Sequence, residues 1–415
     1  MQKIIHPSFI KGVVDVPPSK SMTQRAIAAA FLAKGDSTIY NPSQCSDSLA
    51  ALDLIRRSGA RVIPGNGKLI IQGGLNLQAN ELNCGESGLA MRMFAPIAAL
   101  QNKAITFNGE GSLLKRPVDM IGEAMTQLGV VFESNRGLLP FSVHGPMQGG
   151  KATIDGSVSS QLLTGLLMAL PLVEADSAIR VNNLRSKPYI AMTIQLLRDF
   201  GVHVENLNFE LFKIKGKQNY LAGEYTVEGD WSGAAFLLVA GAINGNITLN
   251  GLLQSSEQPD MAILDVLKTA GARMKVKPHS IEIEKSDLIS FYFDATECPD
   301  LFPPLAVLAS YCKGTSKIRG VERLVYKESN RALAIQQEMG KLGITIMFNG
   351  NEMIIEGGKV SGAFVNSHND HRIAMMEALA AISAAGPVAI QGSECVAKSY
   401  PGFFDDLLHL GVEVI

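Results

Sequence analysis

The sequence lacks long hydrophobic runs and any excess of charge of one sign. Its most apolar stretches, residues 162–173 and 234–243, fall short of the roughly 20 residues that a membrane span needs, so we expect buried helices there. The 37 basic and 39 acidic residues give a formal net charge of −2, and such a balance supplies no global field for nucleic acid or an anionic membrane. Neither is expected as a partner, and any anion site must be local.

Paired cysteines and a targeting segment are also missing. The five cysteines are odd in number and scattered, without the CxxC spacing of a zinc site or a redox pair. Residues 1–12 show no basic stretch followed by an apolar core and a small-residue cleavage site. These features predict a protein of the reducing cytoplasm.

What the chain does contain is a repeat. At 415 residues, 47% of them hydrophobic, it exceeds what one core usually organises, so two domains are expected. A glycine follows an amphipathic stretch and precedes a β-branched run about every 70 residues, which predicts a repeated unit of helix, glycine C-cap and strand. The six glycines are Gly59, Gly129, Gly201, Gly271, Gly343 and Gly411.

A second series has the same period and consists of nearly all-round apolar helices, each preceded or opened by Ser, Asp or Asn, which can cap a helix. Short Val/Ile/Thr-rich segments between them predict strands. We therefore predict an α/β protein of six βαβαββ-like modules, three per domain, with a cut near Glu228 to Asp230. The six helical segments are 21–35, 87–101, 159–173, 231–243, 299–314 and 369–383.

The unusual polar residues cluster at or just before the starts of these helices, where unpaired N–H groups and the helix dipole favour anions. Several such clusters admit simpler explanations: a solvated helix start for Ser21 and Arg25, an ordinary N-cap for Asp300, and a surface salt-bridge ladder for residues 327–331. The candidates are Lys20, Ser21, Arg25, Gly88, Arg92, Lys115, Arg116, Ser159, Ser160, Gln161, Ser186, Asp300, Lys327, Glu328, Arg331, Asp370, His371, Arg372 and Lys398.

Taken in order, the runs PSKSxxxR, SGxAMR, KRP, DGSVSSQ, SKPYI, KESxR, NDHR and AKSYP resemble the 5-enolpyruvylshikimate-3-phosphate synthases along nearly the whole chain. The resemblance implies an enolpyruvyl transferase fold, an inside-out α/β barrel of two similar domains with three βαβαββ units each. The domains would comprise residues 19–228, mainly for shikimate 3-phosphate, and residues 1–18 with 229–415, mainly for phosphoenolpyruvate and the catalytic carboxylates. Helix starts would face a cleft that closes on shikimate 3-phosphate.

The resemblance also implies the reaction, in which the enolpyruvyl group of phosphoenolpyruvate passes to the 5-hydroxyl of shikimate 3-phosphate by addition and elimination, without metal or organic cofactor. A monomer is expected, with these two small molecules as its partners. The catalytic residues implied are Asp300, Glu328 and Lys20. The residues implied for shikimate 3-phosphate are Lys20, Ser21, Arg25, Ser159, Ser160, Gln161, Ser186, Asp300 and Lys327. Those implied for phosphoenolpyruvate are Lys20, Gly88, Arg116, Gln161, Arg331, Arg372 and Lys398.

Three positions depart from the commoner bacterial pattern: Glu86 replaces an asparagine, Leu89 a threonine, and Arg323 an asparagine that often contacts shikimate 3-phosphate. Two alternatives stand beside this interpretation. The sister transferase acting on UDP-N-acetylglucosamine uses a cysteine in the loop before an arginine-proline pair, and the corresponding loop, GEGSLLKRP, contains none. A non-catalytic anion-binding repeat protein would be expected to lose its ionisable residues. All four that the argument uses are retained: Lys20, Asp300, Glu328 and Arg372.

Overall fold

The computed structural model of the protein divides into two compact units, and it describes residues 1–76, 78–325 and 327–415. Residues Pro18–Val227 form one unit, which we call the N-terminal unit. Residues Met1–Pro17 and Glu228–Ile415 form the other, the C-terminal unit. Each unit buries its own hydrophobic cluster.

Helices and strands alternate along the chain. The helices are α1 (Lys20–Leu32), α2 (Ser46–Arg57), α3 (Gly88–Ala98), α4 (Asp119–Thr126), α5 (Gln161–Ala169), α6 (Lys187–Asp199), α7 (Trp231–Asn244), α8 (Ile263–Thr269), α9 (Phe302–Tyr311), α10 (Arg331–Lys341), α11 (His371–Ala381) and α12 (Phe403–His409). The strands are β1 (Gln2–Ile5), β2 (Ile10–Asp15), β3 (Gly35–Tyr40), β4 (Arg61–Gly65), β5 (Lys68–Gly73), β6 (Glu81–Asn83), β7 (Ala104–Asn108), β8 (Val131–Asn135), β9 (Leu138–His144), β10 (Lys151–Asp155), β11 (Ser177–Asn182), β12 (Val204–Leu207), β13 (Leu211–Ile214), β14 (Glu224–Thr226), β15 (Gly245–Asn250), β16 (Arg273–Lys277), β17 (Ser280–Glu284), β18 (Tyr292–Asp294), β19 (Thr315–Arg319), β20 (Ile346–Asn349), β21 (Glu352–Glu356), β22 (Phe364–Asn366) and β23 (Val388–Gln391).

The module predicted from the repeat is visible in the sheets. In the order β6-β7-β9-β8, the first two strands are parallel and enclose α3, whereas β9 pairs antiparallel with both β7 and β8. The sheets β10-β11-β13-β12 and β18-β19-β21-β20 repeat this order and these directions. The prediction of an α/β fold built from βαβαββ units is confirmed.

Two modules complete their sheets with a strand from elsewhere in the sequence. In the C-terminal unit β2 pairs parallel with β15, within the sheet β16-β17-β15-β2. In the N-terminal unit β14 pairs parallel with β3, within the sheet β14-β3-β5-β4. The sixth sheet, β1-β23-β22, has three strands and gains only an isolated bridge from Ile5 to Val414.

The six repeat glycines adopt the conformation predicted for them. Their φ angles lie between +77° at Gly201 and +93° at Gly59 and Gly411, in the left-handed region that glycine enters without steric cost. Each follows a helix by two or three residues and reverses the chain toward a strand or, after α12, toward the Val414 bridge. The prediction of six helix-terminating glycines is confirmed.

The helices of the second series are the interior of each unit. From Ala234 to Ala242 every residue of α7 is fully buried or nearly so, and α1, α3, α5, α9 and α11 are buried to a similar extent. Side chains of Ser19, Ser87, Asp230 and Asp370 cap the first turns of α1, α3, α7 and α11. Within the described residues, no helix has both the length and the apolarity needed to cross a bilayer.

Candidate active site

Arg25 is the central cation of the N-terminal unit. It lies in α1 and is 1% exposed, so the explanation of a solvated helix start is wrong. Its Nε donates to Thr193 Oγ1 at 2.9 Å, and its Nη1 donates to the Ser21 carbonyl at 2.8 Å. In the described part of the chain no carboxylate pairs with it, and burial lowers the pKa of the Arg25 guanidinium to about 10. A buried cation with only neutral partners is prepared for an anionic ligand.

Lys20 opens α1 and forms an ion pair that the sequence did not predict. Its Nζ lies 3.1 Å from Oδ2 of Asp47, which is in the first turn of α2. Side-chain exposure is 14% for Lys20 and 7% for Asp47, so the pair is largely buried. Asp47 therefore fixes the direction of the ammonium group.

Gly88, Arg92, Arg116 and Gln161 meet at the starts of α3 and α5. A Cβ at Gly88 would lie 2.6 Å from Nη1 of Arg116 and 3.0 Å from Nη1 of Arg92. Arg92 donates to Gln161 Oε1 at 2.9 Å, and Arg116 is 7% exposed. The absence of a side chain at Gly88 therefore lets two guanidinium groups lie close to its backbone.

Glu86, one of the departures noted above, holds the turn that leads to Arg116. Its Oε2 accepts from the backbone N–H of Ser112 at 3.2 Å and from the Ser112 hydroxyl at 3.1 Å. A Cβ at Gly111, whose φ is +52°, would lie 2.4 Å from the Glu86 carboxyl carbon. The glutamate thus contacts the 3-10 turn Gly111–Lys115.

The predicted serines lie at two further helix starts. Ser160 precedes α5 and is 5% exposed, while the Ser159 hydroxyl accepts from the Gln161 N–H at 3.2 Å. Ser186 precedes α6 with a φ of +58°, a strained conformation for a residue other than glycine. Such strain persists only where the surrounding structure enforces it. At this position the strained backbone places a buried serine at the start of a helix.

In the C-terminal unit, Arg331 is surrounded by three carboxylates. This first residue of α10 is 0% exposed, so the surface salt-bridge ladder is wrong. Its Nε and Nη2 contact the two oxygens of Asp370 at 3.0 and 3.2 Å. Nη2 also contacts Glu328 at 2.6 Å, and Nη1 contacts Asp300 at 2.8 Å. These contacts use four of the five N–H donors of the guanidinium.

Three cations contact the carboxylate of Asp300. Besides Arg331, the Lys327 Nζ lies 3.3 Å from Oδ1 and the Arg372 Nη2 lies 3.0 Å from Oδ2. Burial raises the pKa of Asp300, but the combined field of Arg372, Lys327 and Arg331 outweighs it and holds the pKa of this carboxyl well below its usual range. The ordinary N-cap is also wrong here, because α9 begins at Phe302 and its N-cap is Leu301.

Of the remaining predicted cations, Lys327 and Arg372 contact Asp300, and Lys398 lies in a turn that packs on α11. Burial lowers the pKa of the Lys327 ammonium, against the opposing charge of Asp300. Arg372 is 4% exposed in the first turn of α11, where its backbone N–H donates to the capping Asp370 at 3.0 Å. Lys398, 7% exposed, ends the 3-10 turn Ser393–Lys398, which packs on α11. We call Asp300, Lys327, Glu328, Arg331, Asp370 and Arg372 the carboxylate network.

Sequence reasoning missed Asp47 and left Asp370 without a role. The signal available for Asp47 was an acidic residue in the first turn of a predicted helix. Asp370 was part of NDHR, and its role as both N-cap and partner of Arg331 required the fold. Among the described residues, no group of three or more His, Cys, Asp and Glu side chains is arranged to hold a metal ion.

The fold is shared with solved enolpyruvyl transferases. It matches an EPSP synthase structure from Acinetobacter baumannii with a TM-score of 0.84 at 27% identity, covering 100% of both chains. The enolpyruvyl transferase NikO from Streptomyces tendae matches with a TM-score of 0.82 over 100% of this chain and 98% of that one. At 18% identity, the second likeness concerns the fold alone. The class of protein is therefore that of the enolpyruvyl transferases.

The sequence comparisons are more specific. The family model of EPSP synthase (3-phosphoshikimate 1-carboxyvinyltransferase) matches residues 4–407. A 3-phosphoshikimate 1-carboxyvinyltransferase from Clostridium kluyveri is 40% identical over 416 residues, which cover 99% of this chain and 97% of the relative. The chain belongs to the EPSP synthase family. It is a transferase for the enolpyruvyl group of phosphoenolpyruvate, with shikimate 3-phosphate as acceptor, on the route to chorismate.

Proposed function

We propose that the two groups of residues described above carry out this transfer by addition and elimination. The 5-hydroxyl oxygen of shikimate 3-phosphate attacks C2 of phosphoenolpyruvate and loses its proton to a base, while C3 gains a proton from an acid. Phosphate then leaves C2, and C3 returns a proton, which restores the double bond. The protein acts as a monomer in this proposal.

Shikimate 3-phosphate is assigned mainly to the N-terminal unit. The observation that carries this assignment is Arg25, a buried guanidinium whose partners are all neutral. A phosphate or carboxylate would supply the missing countercharge through charge-assisted hydrogen bonds. Ser159, Ser160 and Ser186 add neutral donors at helix starts, where the helix dipole favours an anion. The other residues assigned to this substrate are Lys20, Ser21, Gln161, Asp300 and Lys327.

Phosphoenolpyruvate is assigned to cations of both groups. Arg116 and Arg372 are largely buried guanidinium groups at or beside helix starts, and a guanidinium matches a carboxylate or phosphate bidentately. Arg331 plays a smaller direct role, because its carboxylate partners leave one donor. The other residues assigned to this substrate are Lys20, Gly88, Gln161 and Lys398.

Asp300 is proposed as the base toward the 5-hydroxyl. Its low pKa keeps it ionised, as a base requires, but also makes it a weak acceptor while three cations surround it. Phosphoenolpyruvate would engage Arg372 and Arg331 and so reduce their field at Asp300. The pKa of Asp300 would then rise when phosphoenolpyruvate is bound, so Asp300 would become a stronger base only in the presence of this substrate.

Glu328 and Lys20 are proposed for proton traffic at C3. The Glu328 carboxylate is held by Arg331 at 2.6 Å, and its side chain is 13% exposed. The Lys20 ammonium is held by Asp47 at 3.1 Å. Each is a titratable group in a fixed position, which general acid–base catalysis needs.

The proposal is tested by phosphate release from phosphoenolpyruvate with each acceptor in turn. Shikimate 3-phosphate should support release, and UDP-N-acetylglucosamine should not. Arg25→Ala serves as the matched variant, because it should raise the KM for shikimate 3-phosphate without a comparable change for phosphoenolpyruvate. Release with the nucleotide sugar alone, or with neither acceptor, would overturn the proposed function.

A further inference from the structure

A buried carboxyl group close to the carboxylate network has no part in the mechanism above. Asp260 lies in the 3-10 turn Pro259–Ala262 and is 1% exposed. The Ser232 hydroxyl, from the first turn of α7, donates a hydrogen bond to its Oδ2. Its Oδ1 is buried and has no hydrogen-bond partner among the described residues.

The titratable and charged groups whose charges act on Asp260 come from three other elements. Asp230 caps α7, and Asp300 and Cys298 belong to the segment that leads into α9. Arg372 is the cation in range, and it lies on α11. Burial raises the pKa of Asp260 to about 7, with Asp300 adding to the rise and Arg372 opposing it.

The hydrogen bonds of Asp260 also favour the neutral acid. A buried ionised carboxylate requires hydrogen bonds to both oxygens or a directly paired cation, because desolvation penalises the charged form. Asp260 has one hydroxyl donor, an oxygen without a partner and carboxylates in its surroundings. Arg372, the cation in range, donates to Asp300 at 3.0 Å.

We propose that Asp260 is a positioning residue that, as a neutral carboxylic acid, adds no negative charge to the surroundings of Arg372 when this arginine binds phosphoenolpyruvate. Loss of its proton to solvent would place a further negative charge beside Arg372 and Asp300. That charge would attract Arg372 and repel the incoming phosphate and carboxylate, so affinity for phosphoenolpyruvate would fall. The inference rests on the proposed assignment of Arg372 to this substrate.

The first test needs no substrate. Trp231 is the single tryptophan of the sequence, is fully buried beside Ser232, and donates its backbone N–H to Gln258 at 3.1 Å. Its fluorescence, titrated from pH 5.5 to 8.5, should change with a midpoint near the pKa of Asp260, about 7. The transition should vanish in Asp260→Asn and persist in Glu377→Gln, which removes a different buried acid of the same unit.

Ser232→Ala provides an independent test in case the Asp260→Asn variant does not fold. It keeps the carboxyl group but removes the hydroxyl that stabilises the ionised form, so the midpoint should move to higher pH. No transition in the wild type, or the same transition in Asp260→Asn, would overturn the inference.

The second test measures coupling to the reaction. The KM for phosphoenolpyruvate in the wild type, divided by that in Asp260→Asn, should be near one at pH 6 and rise by about three- to thirtyfold at pH 8.5. The ratio cancels ionisation of the substrates themselves, and kcat should differ by less than about threefold, because the positioning role concerns binding. An equal ratio at both pH values would overturn the inference while leaving the proposed function intact. Absence of turnover in the wild type would instead overturn the proposed function.

Discussion

Two fully buried arginines, one in each unit, are held in opposite ways. Arg25 is 1% exposed, and its partners are hydroxyls and backbone carbonyls. Arg331 is 0% exposed and is bound by Asp370, Glu328 and Asp300. Burial lowers the pKa of both, but the three carboxylates reverse the effect at Arg331 and raise its pKa above the usual value.

The difference shows how one residue type serves two purposes. At Arg25 the free-energy cost of burying a charge is not offset by a countercharge in the free protein. Binding of an anionic ligand would offset this cost, so the guanidinium group favours such binding. At Arg331 the charge is already balanced, so this arginine holds Asp300, Glu328 and Asp370 in place. A buried arginine that can bind an anionic ligand is therefore distinguished from one that holds neighbouring carboxylates by the partners of its guanidinium group, even when the exposed fraction is the same.

The largest effect is expected at Asp300, the carboxylate proposed as the base toward the 5-hydroxyl. Asp300→Asn keeps the shape and an acceptor oxygen, so shikimate 3-phosphate should still bind. Turnover should fall by about 10²–10⁴-fold, the usual range for a positioned general base, as measured by phosphate release. Glu328→Gln is the comparison, because it should also slow solvent deuterium exchange into the phosphoenolpyruvate-derived carbon. A near-normal rate for Asp300→Asn would show that Asp300 binds substrate but is not the base.

The difference between the two arginines can be tested directly by replacing each with methionine and comparing the stability of the variants. Arg331→Met would leave three buried carboxylates without their shared cation, so the free energy of unfolding in urea should fall by about 3–5 kcal/mol. Arg25→Met removes a charge that has no countercharge in the free protein, so the change should stay within about 1 kcal/mol. Similar losses for both variants would mean that Arg25 has a partner equivalent to those of Arg331.

A smaller effect separates the substrates within the N-terminal unit. Arg25→Ala should weaken binding of shikimate 3-phosphate by about ten- to over a hundredfold, which corresponds to about 1.5–3 kcal/mol for a lost charge-assisted bond. Arg116→Ala should weaken phosphoenolpyruvate instead, because its guanidinium lies over Gly88 in a different cluster. Isothermal titration and KM values for each substrate measure the two effects. If both variants affected both ligands equally, the separate assignments would be wrong.

The sequence predicted the elements of this fold better than the pairings within its site. The six glycines and the apolar helices are local signals, since backbone conformation and periodicity are set within a few residues. Lys20 was recognised, but its partner Asp47 lies 27 positions away on another helix. Asp300 could be interpreted as a cap because sequence spacing carries no information about cations that arrive from α10 and α11. Ion pairs between elements follow from tertiary packing, so they appear only once the helices are placed.

The comparison of the two arginines extends to a carboxyl group that also lacks a countercharge. Glu377 in α11 is fully buried, and neither of its side-chain oxygens has a hydrogen-bond partner among the described residues. Burial raises the pKa of Glu377 to about 9, and Glu338 adds to the rise, so the folded protein retains a proton that the unfolded chain releases at lower pH.

The stability of the folded protein should therefore depend on pH. The contribution of Glu377 is fully present below its unfolded pKa of about 4.3 and is lost as pH rises toward its folded pKa, by up to about 1.4 kcal/mol per pH unit. Glu377→Gln has no such titration. The free energy of unfolding of the variant minus that of the wild type should therefore increase by about 2–3 kcal/mol from pH 6 to pH 8. Urea unfolding at both pH values measures the gain, and Glu377→Met, which also removes the acid, should show the same trend. A difference from the wild type that is constant across pH would assign the effect to packing, and the buried carboxyl would then have a partner in the folded protein after all.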